Sequence, residues 1–179
     1  MTDRDPWVEL LDEGRVREAG AARARERWLR AAAAEDASLA GALVDLAEAA
    51  VPVVLATTAG RVHQAVVAAV GADVVALHPP SGALVLVPLG AVAWVRPVEG
   101  VLPAGGREAP AGPVLVDLLG RVAERGDRVT LWLGGGTTLS GRVVGVGVDV
   151  VRVDPEGPDA GPSYVSVPSI LEVAVFRSG

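Results

Sequence analysis

The chain has 179 residues, a formal net charge of -6 and no cysteine. The missing thiols exclude disulfides, thiolate catalysis and cysteine-based zinc sites, and the acidic balance works against nonspecific attraction to phosphate backbones. Asp45, Glu48, Asp73 and Arg96 break every apolar run before membrane-spanning length, and residues 1–5 carry acids where a signal peptide is basic, so a cytoplasmic chain without a membrane segment is expected.

Asp5-Pro6-Trp7 places a capping residue before a proline at the first helical position, which predicts a short helix ending near Gly14 with Trp7, Val8, Leu10 and Leu11 as its apolar face. The alanine-rich run from Arg15 to Ala34 predicts a second helix. Its Arg23, Arg27 and Arg30 recur at helical spacing, and nearby Glu9, Asp12, Glu13, Glu18, Glu26 and Glu35 balance them, so they read as a solvated face. Asp36 to Ala50 is the next predicted helix, with Leu39, Leu43 and Leu46 on one side, Asp36 as its cap and Pro52 as its stop.

Short β-branched segments then alternate with glycine and proline, and they predict five strands: Val53 to Thr58, Arg61 to Val70, Asp73 to His78, Ala83 to Val87 and Ala91 to Arg96. Pro97 to Pro113 is rich in proline and glycine and reads as a linker. Beyond it the same order returns: a helix opened by Pro113 and carrying Leu115, Leu119 and Val122, then strands at Arg128 to Leu133, Thr137 to Val146, Asp149 to Asp154, Tyr164 to Val167 and Leu171 to Phe176. An acidic loop, Pro155 to Pro162, separates the third and fourth of these strands.

The recurrence is a tandem duplication. A shift of 76 places Leu55 on Leu131, Gly60 on Gly136, Val67 on Val143, Gly71 on Gly147, Asp73 on Asp149, Val74 and Val75 on Val150 and Val151, and Pro79 on Pro155. After four extra residues in the second copy, a shift of 80 places Val85, Val87, Pro88 and Val95 on Val165, Val167, Pro168 and Val175. Repeats of this kind speak to architecture first. The expected organisation is a helical segment over 1–35, a first repeat over 36–96, a linker over 97–112 and a second repeat over 113–179.

A helix, a long second strand with a small residue inside it, and a closing pair of strands joined by one tight step resemble the Sm/LSm small barrel. Gly136 and Gly141 match its two glycines in the second repeat, and Gly60 and Ala65 stand at those places in the first. The resemblance implies a mainly β chain with helices: two tandem Sm-like (SH3-like) five-stranded barrels, each preceded by a helix, plus the N-terminal helical segment. It also implies association of the fourth strand of one unit with the fifth strand of another. At the family's RNA-contacting positions this chain has Gly71, Val75, Gly147 and Val151, and Pro88-Leu89 and Pro168-Ser169 replace the Arg-Gly of its second motif. Valine cannot read a base edge and proline does not stack as arginine does, so the usual nucleotide pocket is expected to be lost in both copies. The element order also resembles a family of actinobacterial proteins, some labelled Fis-type transcriptional regulators. Here strands follow the helices where a helix-turn-helix would place a recognition helix.

Other constellations favour structural roles. His63 and His78 lie on different strands without metal-ligand spacing, and Gly134-Gly135-Gly136-Thr137-Thr138 joins two strands as a hairpin turn. Asp73 and Asp149 each follow a turn glycine, where aspartate commonly bonds its own backbone. Ser140 has no nucleophile-elbow context, and Trp94 and Trp132 read as core or barrel-to-barrel contacts. No catalytic, cofactor, metal or nucleic-acid site is expected.

These readings lead to a non-enzymatic assembly or regulatory-scaffold protein, acting through strand edges and its N-terminal helix on a protein partner or a second copy. The alternative is an RNA-binding Sm-like protein that uses a surface other than the usual pocket. The 17 residues from Pro97 to Pro113 suffice to let Ala91 to Arg96 meet Tyr164 to Val167 within the chain. That pairing would leave Ala83 to Val87 and Leu171 to Phe176 for self-association, or for coverage by the helix from Arg15 to Ala34.

Overall fold

A computed structural model describes residues 37–100, 102–108, 110–157 and 161–177, with helical residues 20, 23–26 and 28 ahead of them. The helix expected from Asp5 to Gly14 lies outside the described residues, as does most of the run from Arg15 to Ala34. The chain is mainly β. Helix α1 (Leu39–Ala49) leads into β1 (Pro52–Thr57), β2 (Val62–Val70), β3 (Val74–His78), β4 (Leu84–Pro88) and β5 (Val92–Pro97). Helix α2 (Leu115–Arg125) leads into β6 (Arg128–Leu133), β7 (Thr138–Val146), β8 (Val150–Pro155), β9 (Ser163–Ser166) and β10 (Ile170–Phe176). No helix among the described residues is long and apolar enough to cross a membrane.

Both helices start later than expected. Ser38, not Asp36, caps α1 by accepting from the Gly41 N–H, and α2 begins two residues after Pro113. Leu43 and Leu46 are buried, each burial contributing roughly 1.5–3 kcal/mol, while Leu39 on the first turn is 38% exposed. The linker is not free. Gly105 accepts from the Ser38 N–H and donates to Asp45, and Arg107 pairs with Asp45 and Glu48, so residues 105–107 clamp α1. A side chain at Gly41 would collide with the Gly105 and Arg107 carbonyl oxygens, which explains a glycine inside this helix.

All ten strands form one antiparallel sheet in the order β5-β1-β2-β3-β4-β10-β6-β7-β8-β9. Its halves, β5-β1-β2-β3-β4 and β10-β6-β7-β8-β9, repeat one order, as the duplication requires. The duplication reaches the irregularities: β2 shifts register between Val67 and Ala69, and β7 between Val143 and Gly145. These are matching places in the two copies.

The halves join through β4 and β10, with Leu86 opposite Val173, Val85 opposite Ala174 and Leu84 opposite Val175. This corrects the expected pairing of Ala91 to Arg96 with Tyr164 to Val167: those segments form β5 and β9, the two outer edges. Burial gives the reason. Strand β4 is Leu-Val-Leu-Val and β10 is Ile-Leu-Glu-Val-Ala-Val, continuous runs in which neighbouring residues on both faces are buried. Strand β9, Ser-Tyr-Val-Ser, buries only Val165 well, and β5 exposes Ala93, Trp94 and Arg96. Strands of the second kind tolerate a solvent edge.

Two hydrophobic clusters interlock at this junction. The first gathers Leu43, Leu46, Val53, Leu55, Val75 and Val87 from the first half and takes in Ala174 from β10. The second gathers Leu115, Leu119, Val122, Leu131, Val151 and Val173 and takes in Val74 and Leu86 from β3 and β4.

Candidate functional site

At the junction one carboxylate is fully buried. Glu172, on β10, has 0% exposure, and its two oxygens take different partners from the first half: Oε1 accepts from Arg61 Nε at 2.8 Å, and Oε2 lies 2.9 Å from His63 Nε2. The Arg61 guanidinium also stacks on the Trp132 ring, 3.9 Å from its centroid, on the neighbouring strand β6. Such a group is costly to bury unless both oxygens are engaged. Charge and aromatic stacking therefore fix the two halves in one register, since a slip of one residue would carry Glu172 to the other face. The sequence reading passed over Glu172 as a strand residue. Its signal was present: a lone acid inside the apolar run Ile170 to Val175 needs a buried partner.

Helix α2 joins the halves a second way. The Asp73 carboxylate accepts from the Leu115 N–H at 2.7 Å, and the Pro113 carbonyl accepts from the Ala72 N–H at 3.2 Å. Asp73 thus caps the helix of the next repeat, where the sequence suggested a bond to its own backbone. Gly71 is buried beneath this crossing, and a Cβ there would collide with the Pro113 carbonyl. What remains between α2 and the first half is an apolar crevice of about 140 Å³, lined by Ala69, Val70, Gly71, Val74, Ala76, Leu84 and Leu86 together with Pro113 and Leu118.

The second half carries the counterpart of that crevice, and it is open. Gly145, Val146, Gly147, Val150, Arg152 and Tyr164, with Val144, line a cleft of about 380 Å³. Six of these seven are the repeat equivalents of Ala69, Val70, Gly71, Val74, Ala76 and Leu86. Gly147 is exposed, Tyr164 is 74% exposed, and the Asp149 carboxylate, equivalent to that of Asp73, has no partner among the described residues.

A third cleft of about 430 Å³ lies where the halves meet, and Pro88, Pro168, Asp73 and Leu115 are among its lining residues. Val75 and Val151 are both fully buried in the core. His78 is exposed at the end of β3, while His63 serves Glu172. Gly134–Gly136 forms the turn between β6 and β7, and Ser140 bonds Thr130 across that hairpin at 2.9 Å. Trp132 is a half-to-half contact, as expected, but Trp94 is 45% exposed on the edge strand β5 and packs in no core cluster. Among the described residues no cluster of three or more His, Asp or Glu side chains could hold a metal ion.

No protein-family model matches the chain, and no curated protein matches it. The geometry of the junction, its open counterpart and the two outer edges therefore carries the functional reading.

Proposed function

We propose that this chain is a non-enzymatic assembly protein built of two tandem Sm-like halves, which associates through its outer edges with further copies of itself. One observation carries the reading: β4 and β10 are consumed inside the chain, so β5 and β9 each have a single neighbouring strand among the described residues. The internal junction supplies the template. From β4 onward the strand registers match the halves at a shift of 78, not the expected 80, because Pro88 and Ser166 lie opposite the equivalent Val74 and Val150. Carrying Leu86 opposite Val173 through that shift puts Tyr164 opposite Val95 of another copy, and therefore Ser166 opposite Ala93. The outward backbone groups agree with this. Val98 bonds Pro52, so Val95 falls at a position whose N–H faces away from β1; Val167 bonds Asp149, so Tyr164 and Ser166 face away from β8. Edges of this kind recruit another strand unless they are covered. Because the two edges differ, the contact is head-to-tail and gives rings or filaments.

The test is light scattering over a concentration series with the full chain. Mass should rise with concentration, and Val95→Pro, which removes an outward N–H, should return the chain to monomer with little change in its unfolding midpoint. A wild-type chain that stays monomeric at hundreds of micromolar overturns the reading. So does salt-resistant binding of an RNA oligonucleotide below the micromolar range, because Val75 and Val151 are buried where the Sm pocket would contact RNA.

A further inference from the structure

The open cleft of the second half has a built-in description of its own ligand, because the same surface on the first half is filled. There the occupant is the entry into α2: Pro113 crosses over Gly71, the Leu115 N–H reaches Asp73, and Leu118 lies in the apolar crevice. On the second half the bare glycine, the carboxylate and the apolar floor are all retained as Gly147, Asp149 and Val150, with nothing seated on them among the described residues. A side chain at Gly147 would approach only Val150, so no crossing segment among the described residues accounts for the glycine there.

The repeat also identifies a matching occupant. The equivalent of Leu115 is Leu39, the first residue of α1, and its N–H has no partner among the described residues. Leu39 is 38% exposed, and Ala37 and Ser38 before it are exposed too. The linker residue Gly105 holds the Ser38 N–H and lies against Ala37 and Ala42, on one side of this turn, while Leu39 keeps its exposure. A helix N-terminus carries partial positive charge and unpaired donors, which an aspartate satisfies.

We infer that the Gly147–Asp149–Tyr164 cleft is a docking site for the first turn of α1 from a second copy of this chain, with Asp149 accepting from the Leu39 N–H as Asp73 accepts from that of Leu115. This rests on the self-assembly reading and specifies its helical contact: the β5 edge and the α1 N-terminus of one copy engage the β9 edge and the cleft of the next. The cleft differs from its filled counterpart in one respect, since Arg152 and Tyr164 replace Ala76 and Leu86. A more polar floor suits a contact that must also exist unpartnered in water.

The experiment is a double-mutant cycle on the association constant of the full chain, read by analytical ultracentrifugation. Asp149→Ala removes the acceptor. Leu39→Pro removes the donor at the first helical position, where proline is tolerated and where the extended backbone of Ser38 already suits it. Leu39→Ala controls for the lost side chain. Each of the first two variants should weaken association about tenfold, as for hydrogen bonds to a charged group, with no further loss in the double variant and a much smaller effect from Leu39→Ala. If the two losses add, or if Leu39→Ala matches Leu39→Pro, the Leu39–Asp149 pairing is wrong. If neither variant changes association while Val95→Pro abolishes it, edge pairing stands and helix docking falls. A wild-type monomer overturns both.

Discussion

The two halves share one strand order, one pair of bulges and one kind of helix, yet their equivalent surfaces have opposite fates. The surfaces facing the junction are sealed: β4 is paired, the crevice behind it is filled by α2, and Asp73 has its donor. The equivalent surfaces facing outward, on β9, Gly147 and Asp149, are open. The side chains that differ show how one duplicated sequence distinguishes inside from outside. By strand register Glu172 corresponds to Trp94, while Arg61 and His63 correspond to Thr137 and Leu139, so the charged key occurs once, at the internal junction. A buried ion pair contributes little net stability, but it penalises the wrong partner. The chain therefore closes its own junction in a defined register and leaves the equivalent outward surfaces without that key.

The strongest way to break this asymmetry is to remove the key. Glu172→Ala strips the carboxylate from His63 and Arg61, and breaking a buried pair in this way costs about 3–5 kcal/mol. The lower end is expected, because the Arg61 side chain is 40% exposed and can turn to water. Val92→Ala, an apolar truncation on the equivalent strand β5, should cost less, about 1–2 kcal/mol, since it removes only apolar contacts. Urea denaturation of both variants checks the order. Equal losses would mean that Glu172 does no more than fill space.

A second comparison concerns the long bent strands. At the same position β7 has Gly141 and β2 has Ala65, and only the glycine lies under a backbone crossing: a Cβ at Gly141 would collide with the Asp154 carbonyl. Gly141→Ala should therefore destabilise by about 1–3 kcal/mol through overpacking. Ala65→Gly, at a site 4% exposed, should cost about 1 kcal/mol through chain entropy and a lost methyl group. Thermal unfolding of the pair measures the difference. A neutral Gly141→Ala would show that β8 can move away from β7.

Much of the fold was legible because its signals are local. The ten strand segments stand where β-branched runs and turn residues put them, and the duplication carries one half's pattern to the other. What failed was the choice among edges. That choice depends on which strands are apolar on both faces, a feature visible in Leu84 to Val87 but outweighed by a simple reach estimate for the linker. The linker's grip on α1 was not legible in its composition, because Gly105 bonds Ser38 and Asp45 through backbone groups that its sequence does not mark. Glu172 was the one residue of the junction cluster that sequence reasoning missed entirely. Its partners lie more than 100 residues away on another strand, and no local period can supply them. The two aspartates were seen but given the same role, because a repeat read in one dimension cannot show that only one of them has a helix above it.

Those aspartates provide the finest test of the comparison. Asp73→Ala removes the acceptor of the Leu115 N–H at the start of α2, and losing a capping side chain costs about 1 kcal/mol, within a range of roughly 0.5–2. The loss should fall on α2 and on the β4–β10 junction together, so amide exchange should quicken in both. Asp149→Ala removes a carboxylate that has no partner among the described residues, and its effect on the stability of the isolated chain should stay within about 0.5 kcal/mol. The measurement is best made at a dilution where copies are separate, since any contact between them would add its own stabilisation. On raising the concentration, the ranking should begin to converge as Asp149 gains a donor from another copy. If Asp149→Ala is as costly as Asp73→Ala in the dilute chain, then Asp149 has a structural partner within its own half, and the outward surface is not the open equivalent of the sealed one.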